Sequence, residues 1–228
     1  MYIGLKMVTN GLVLWLDAGN TKSYPGTGTV WTDLTQYQTT GTLINSPTFN
    51  SENMGSLSFT GANDYVSLSY KPQYDIRTGI TCSVFMKRTT GYNQLVDFHL
   101  LSRYPPLLFY DAYASGVLTG AILIDGVRKG QVYTPIIPMD GHWYYITYTY
   151  DSNTHYSTIY INGILKSNLE ITGLANYLID STTNNFINIG QQSLGRGMLI
   201  SILSIYNRAL SSTEIVQNYN AIKGRYGL

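Results

Sequence analysis

The sequence predicts an all-β sandwich of two antiparallel sheets with a short C-terminal helix. Three observations carry this. Short apolar runs of strand length recur along the chain, turn chemistry separates them, and a single well-capped helical segment stands at the end. At 228 residues the chain can bury a substantial core, and no internal repeat, low-complexity tract or linker divides it. Residues 1–228 therefore read as one domain.

Residues 12–17 are apolar on both faces, as an inner strand would be. From Asn20 to Asn53 the chain is rich in Gly, Ser, Thr, Asn and Pro, which reads as a long loop followed by short strands. Leu57-Ser58-Phe59 and Tyr65-Val66-Ser67-Leu68 flank Gly61-Ala62-Asn63-Asp64, which has the length and composition of a hairpin loop. Strands near 80–88, 95–101, 107–110, 120–125 and 131–137 follow, with turn signals such as Thr90-Gly91 and Asp125-Gly126 between them. Trp143 to Tyr150 and Ser157 to Ile161 precede Asn162-Gly163, the dipeptide best suited to the two left-handed positions of a type I′ turn. Phe186 to Gly190 and the nearly unbroken apolar run Met198 to Tyr206 complete the sheets, the latter as a central strand.

The helix is expected over 212–223. Ser211 and Glu214 have the spacing of a capping box, and Leu210 is placed to staple against Ile215. Ile215, Val216, Tyr219 and Ile222 recur at one-sided helical spacing, and Gly224 stands where a left-handed cap would end the element.

Charged residues make up 12% of the chain, against roughly 25% in ordinary soluble proteins, so the surface must be polar but mostly uncharged. A net charge of +1 without a run of Lys or Arg argues against nucleic acid and against an acidic membrane surface as partners. The single cysteine, Cys82, excludes an intramolecular disulfide and lies in a strand-like run, where it reads as a small buried hydrophobe. The start of the chain has no apolar run long enough for a signal peptide, and no segment approaches a membrane span. Most of the twenty-one tyrosines read as half-buried strand residues, which leaves the loop tyrosines as the informative ones.

The stretch Ile205-Tyr206-Asn207-Arg208-Ala209-Leu210-Ser211-Ser212-Thr213-Glu214-Ile215 resembles the C-terminal signature of concanavalin A-like, laminin G-like jelly-roll domains. Further matching runs are Gly11 to Asp17, Trp31-Thr32-Asp33-Leu34, Leu57 to Val66, His142 to Asp151 and Ile159 to Gly163, so the resemblance covers nearly the whole chain. It implies jelly-roll connectivity. The ending Asn218 to Leu228 is similar to the version found in tailed-phage virion proteins, which implies a virion component, made in the host cytoplasm and carried on a particle.

Many relatives hold calcium, which needs six to eight oxygen ligands, and their last sheet strand often carries an Asp-Glu pair. Here Ser201 and Ile202 occupy those positions. No metal or other cofactor is expected. Asn63 and Asp64 are weak calcium candidates, since loop residues of these types more commonly hydrogen-bond their own turn. Glycoside hydrolysis, the obvious reaction for this fold, needs two facing carboxyl groups. No strand carries acidic residues at i and i+2 or i+4, and Asp140 before His142 or Asp97 before His99 offers one carboxylate and one imidazole. The stretch Gly190 to Gly197 lacks the Lys-Ser/Thr of a phosphate-binding loop. The expectation is a protein that is not an enzyme.

Binding without metal needs aromatic faces with amide and hydroxyl groups on loops. Tyr92, Asn93, Arg103, Tyr104, Tyr110 and Tyr113 supply them, and they suit a carbohydrate or a protein partner equally. Lys223, Arg225, Tyr226 and Leu228, around the terminal 224–228, form a candidate docking tail. The function expected is a non-enzymatic structural or decoration protein of a tailed-phage virion. It would bind other virion proteins, as a homo-oligomer or in many copies, and possible surface glycans through loops. The alternative is a free-standing carbohydrate-binding lectin.

Overall fold

The computed structural model describes residues 6–59, 63–89, 97–98, 107–111, 117–136, 140–180, 186–190 and 197–228. In chain order the strands are β1 (Leu12–Asp17), β2 (Val30–Thr32), β3 (Thr40–Ile44), β4 (Thr48–Asn50), β5 (Ser56–Phe59), β6 (Tyr65–Ser69), β7 (Gly79–Arg88) and β8 (Asp97–Phe98). They continue with β9 (Leu107–Asp111), β10 (Val117–Ile124), β11 (Val127–Ile136), β12 (Tyr144–Asp151), β13 (Tyr156–Ile161), β14 (Ile164–Glu170), β15 (Phe186–Ile189) and β16 (Met198–Tyr206). The helix α1 (Ser212–Ile222) ends the series, followed by a 3-10 turn over Lys223–Tyr226.

One layer is an eight-stranded antiparallel sheet in the order β14-β13-β12-β7-β16-β5-β4, with β1 sharing the β16 edge with β5. Among the described residues the opposite layer falls into two four-stranded sheets, β11-β10-β9-β8 and β15-β6-β3-β2. Strand alternation fills the space between the layers. Ile80, Cys82, Val84 and Met86 of β7, Ile146, Tyr148 and Tyr150 of β12, and Leu118, Ile122 and Ile124 of β10 meet in one buried cluster with Val66, Leu68, Ile187 and Ile189. The layers touch so closely at Gly120 that a Cβ there would lie 2.0 Å from the Tyr148 ring. Burial pushes the Cys82 thiol up to about 12, so the residue packs rather than reacts.

β16 is buried along its entire length, with both faces covered. Met198, Ile200, Leu203 and Ile205 enter the central core, while Leu199, Ile202 and Tyr206 face the other way, toward the C-terminal segment. The inward positions change from even to odd because the register against β7 shifts between Ile200 and Ile202, a bulge at Ser201.

The helix begins as expected. Ser211 Oγ accepts from Glu214 N, the Glu214 carboxylate accepts from Ser211 N at 2.9 Å, and Leu210 and Ile215 share a buried cluster. Arg208 donates to both Glu214 oxygens at 2.9 and 2.6 Å and holds that carboxyl down at about 2. Thr81 ties the turn to β7: its hydroxyl donates to Arg208 O and accepts from Leu210 N. The Asn-Arg-Ala-Leu-Ser run is thus a hydrogen-bonded corner that converts strand into helix.

The buried helix face differs from the expected one. Val216 is 39% exposed, and Asn218 takes its place in the interior. Asn218 Oδ1 accepts from Val8 N at 2.8 Å and its Nδ2 donates to Tyr206 Oη, which itself donates to Val8 O. A polar residue is required there because the N-terminal segment crosses under the helix with a backbone N–H that no strand satisfies. Gly224 is not left-handed. The helix tightens into the 3-10 turn, and the left-handed position is Gly227 at φ 70°.

The expected docking tail is folded structure. The Arg225 guanidinium meets Asp17 at 2.7 Å and Tyr226 stacks on Phe85 with ring centroids 3.9 Å apart. Tyr226 Oη donates to Ser201 Oγ at 2.7 Å, and Asn53 bridges Trp143 Nε1 to Arg225 O. Of the four tail residues, Leu228 stays exposed, while Lys223 lies over the Tyr219 ring. Two further expectations change. Residues 57–68 do not form a hairpin, because β5 belongs to the eight-stranded sheet and β6 to the opposite layer. Among the described residues β1 pairs with β16 alone, and its other edge is closed by a loop, Leu34 N donating to Trp15 O.

Arg225→Ala leaves a buried Asp17 carboxylate without its cation, and should lower stability by about 3–5 kcal/mol in urea unfolding, whereas Leu228→Ala should change it by less than about 0.5 kcal/mol. Because the Glu214 carboxyl titrates lower in the fold than in the unfolded chain, its contribution is complete above its ordinary value of 4.5 and is lost as pH falls toward about 2. The stability advantage of the native chain over Glu214→Gln should therefore shrink across that window and stay constant at higher pH, as read from unfolding curves at stepped pH.

Candidate functional site

Asp33 builds a recess beside β1. It is 2% exposed, and its Oδ1 accepts from Trp15 N at 2.8 Å and Thr35 N at 2.9 Å, while Thr35 Oγ1 donates to Oδ2 at 2.5 Å. An Asp two residues before a Thr is well suited to such a turn, since a carboxylate can take the backbone N–H and the hydroxyl together. The turn is thereby pinned against β1, Leu34 N donating to Trp15 O beside the Trp15 N to Asp33 bond. Between the turn and the incoming N-terminal segment lies a cavity of about 360 Å³ lined by Thr9, Leu12, Trp15, Leu34, Thr35 and Gln36. Trp15 is half-buried, packs its base on the cluster containing Leu199 and Ile202, and leaves its buried indole N–H without an acceptor among the described residues. None of the six lining side chains is charged.

Three further carboxylates hold structure. Asp17 faces Arg225, Glu214 faces Arg208, and Asp180 accepts from the N–H groups of Asp125 and Gly126, both at 2.8 Å. Asp140, His142 and Tyr144 do meet at the surface: His142 Nδ1 is 3.0 Å and Tyr144 Oη 2.8 Å from Asp140 Oδ2. The His142 backbone N–H is the main cause that holds the Asp140 carboxyl at about 2, and desolvation followed by this carboxylate pushes the Tyr144 hydroxyl up to about 12. An acid held this low is a permanent anion near neutrality and a poor proton donor.

Asn63 adopts φ 70° and its carbonyl accepts from Asn45 Nδ2 at 2.8 Å, while Asp64 is 5% exposed. This is a turn geometry. No group of three or more His, Cys, Asp or Glu side chains suited to a metal occurs among the described residues. Tyr92, Asn93, Arg103, Tyr104 and Tyr113 lie outside the described residues, as does His99, and of Tyr110 only its place is described, on β9 opposite Asp97 and Thr119. Arg225 and Tyr226 are brought together, but inward. The recess at Trp15 was not read from the sequence, although the Asp33-to-Thr35 spacing signals the turn that forms it.

No curated protein matches the chain by sequence. Among solved structures, the binding domain of botulinum neurotoxin serotype D superposes with a TM-score of 0.71 at 14% identity, over 92% of this chain and 51% of that one. The binding domain of botulinum neurotoxin DC in complex with SialylT does so with 0.71 at 12% identity, over 93% and 52%. The same domain in complex with rat synaptotagmin II also gives 0.71 at 12%, over 93% and 52%. The chain spans about half the length of these structures, and at such identities the likeness is one of fold. The profile described as the Concanavalin A-like lectin/glucanases superfamily matches residues 59–216, more than half of the chain, and the protein belongs to that superfamily.

Proposed function

We propose that the protein is a non-enzymatic binding domain, a structural or decoration component of a tailed-phage virion that contacts other virion proteins and glycans. The observation that carries the binding reading is the division of labour among its polar groups. Asp17, Asp33, Asp180 and Glu214 are fastened to guanidinium or N–H groups, whereas an uncharged recess with an aromatic wall stays open. Among the described residues no facing pair of carboxyl groups with which to cleave a glycosidic bond is present, so this surface is one that grips. The solved neighbours include a complex with SialylT and one with synaptotagmin II, which supports glycan or protein partners for this fold. A chain with 12% charged residues favours a surface that meets other protein. The virion assignment rests on the sequence of the Asn218 to Leu228 ending. No helix among the described residues is long and apolar enough to cross a membrane.

The free-standing lectin is the second reading, favoured by the same glycan-bound neighbour. A glycan array on the pure protein, run with and without chelator and followed by assay for released sugar, together with cryo-EM of the particle, tests both. The expected result is chelator-insensitive glycan binding, no sugar released, and density for the domain on the virion. Sugar release would overturn the non-enzymatic reading, binding abolished by chelator would identify a calcium lectin, and binding without particle density would favour the free-standing form.

A further inference from the structure

We propose that the recess between Trp15 and the Asp33–Gln36 turn is the glycan site, and that it takes a neutral sugar ring rather than an acidic one. The inference rests on the glycan-binding reading above and adds to it a place and a chemical class.

Three features of the recess point to this ligand. Its volume, about 360 Å³, falls at the small end of the roughly 300–1,000 Å³ of ligand pockets, which suits one or two sugar rings better than a folded partner. The half-buried indole of Trp15 offers an apolar ring to the C–H face of a pyranose. It differs in this from Trp31, which is fully buried, and from Trp143, which is 4% exposed and donates to Asn53. On the rim the exposed side chains of Thr9 and Gln36 make no hydrogen bond to the described residues, so a hydroxyl and an amide are free for sugar hydroxyls. Thr35, by contrast, donates its hydroxyl to Asp33, which fixes the wall rather than contacting a ligand.

The alternatives fit less well. A sialic or uronic acid, a phosphate or a nucleic acid would bring negative charge into a recess with no Lys, Arg or His in its lining. An extended peptide adding to the sheet would need the outer edge of β1, and there Trp15 N already donates to Asp33 and Trp15 O already accepts from Leu34 N. The Asp33 bonds also mean that the recess exists before a ligand arrives, which removes an ordering cost from binding.

The test uses the full chain labelled with 15N and titrated with methyl glycosides of glucose, galactose, mannose and N-acetylglucosamine, with sialic acid as the acidic control. The three tryptophan indole resonances report separately. Saturable movement of the Trp15 indole signal by a neutral glycoside, with the Trp31 and Trp143 signals unmoved, is the expected result. Thr9→Ala combined with Gln36→Ala should weaken that binding about tenfold, the loss of two neutral hydrogen bonds, without changing the unfolding midpoint. Glycan binding that leaves the Trp15 signal still and survives the double substitution would overturn this site while leaving the glycan reading intact. Sialic acid bound as tightly as the neutral sugars would overturn the chemical class, and no binding by any of these sugars or on the array would overturn both.

Discussion

The structure depends on burying β16 from both sides. A strand with nine buried residues cannot lie at a sandwich surface unless something covers its outer face, and here that cover is the C-terminal segment that the same strand leads into. The corner after Tyr206 is therefore more than a connection. Arg208, Thr81 and Glu214 aim the helix back across the sheet, and the 3-10 turn carries Tyr226 onto Phe85, so that the chain closes over the strand it has just completed. Covering the outer face converts a surface that would expose Phe85, Leu199 and Ile202 into a second, smaller core.

The scarcity of charge follows the same logic. With so few ionisable groups, three of them stand where geometry needs a strong, directional bond: the buried Asp17 at the closing turn, the buried Asp33 at the edge of β1, and the half-buried Glu214 at the helix start. Hydrogen bonds to ions are stronger than neutral ones, and each of these three sites fixes a loop or terminus that strand pairing alone leaves open. The uncharged remainder of the surface is then available for contact with partners that carry hydroxyls and amides.

What the sequence revealed, and what it concealed, divides by range. The Asn162-Gly163 turn, with φ values of 52° and 78°, and the Ser211 to Glu214 box depend on residues a few positions apart, so their chemistry can be read directly. The segment 57–68 carries the same local signals as a hairpin, yet its two strands face each other across the core. Nothing within twelve residues states that Leu57 will pair beside Ile200 while Leu68 pairs with Gly41. The helix face failed for a related reason. Periodicity selects apolar residues, and it cannot foresee that a backbone N–H at Val8, 210 positions away, will make Asn218 the better interior residue. The candidate recess was hidden likewise, because Thr9, Trp15 and Gln36 converge only through the turn at Asp33.

Ser201, at the bulge of β16, shows how much one hydroxyl can hold together. The chain has a hydroxyl at this bulge, where the resemblance implies an acidic pair in related domains, and a hydroxyl can donate and accept at once. It donates to Gly55 O, accepts from Tyr226 Oη, and lies 3.4 Å from an Arg225 nitrogen. A carboxylate at the same point could not donate to Gly55, and would compete with Asp17 for the one guanidinium. The serine instead lets the guanidinium bind Asp17 through both oxygens, at 2.9 and 2.7 Å, which places a fixed positive charge beside the bulge. The space beside the bulge is occupied by the protein's own cation and aromatic ring. The C-terminal turn is held by the chain itself.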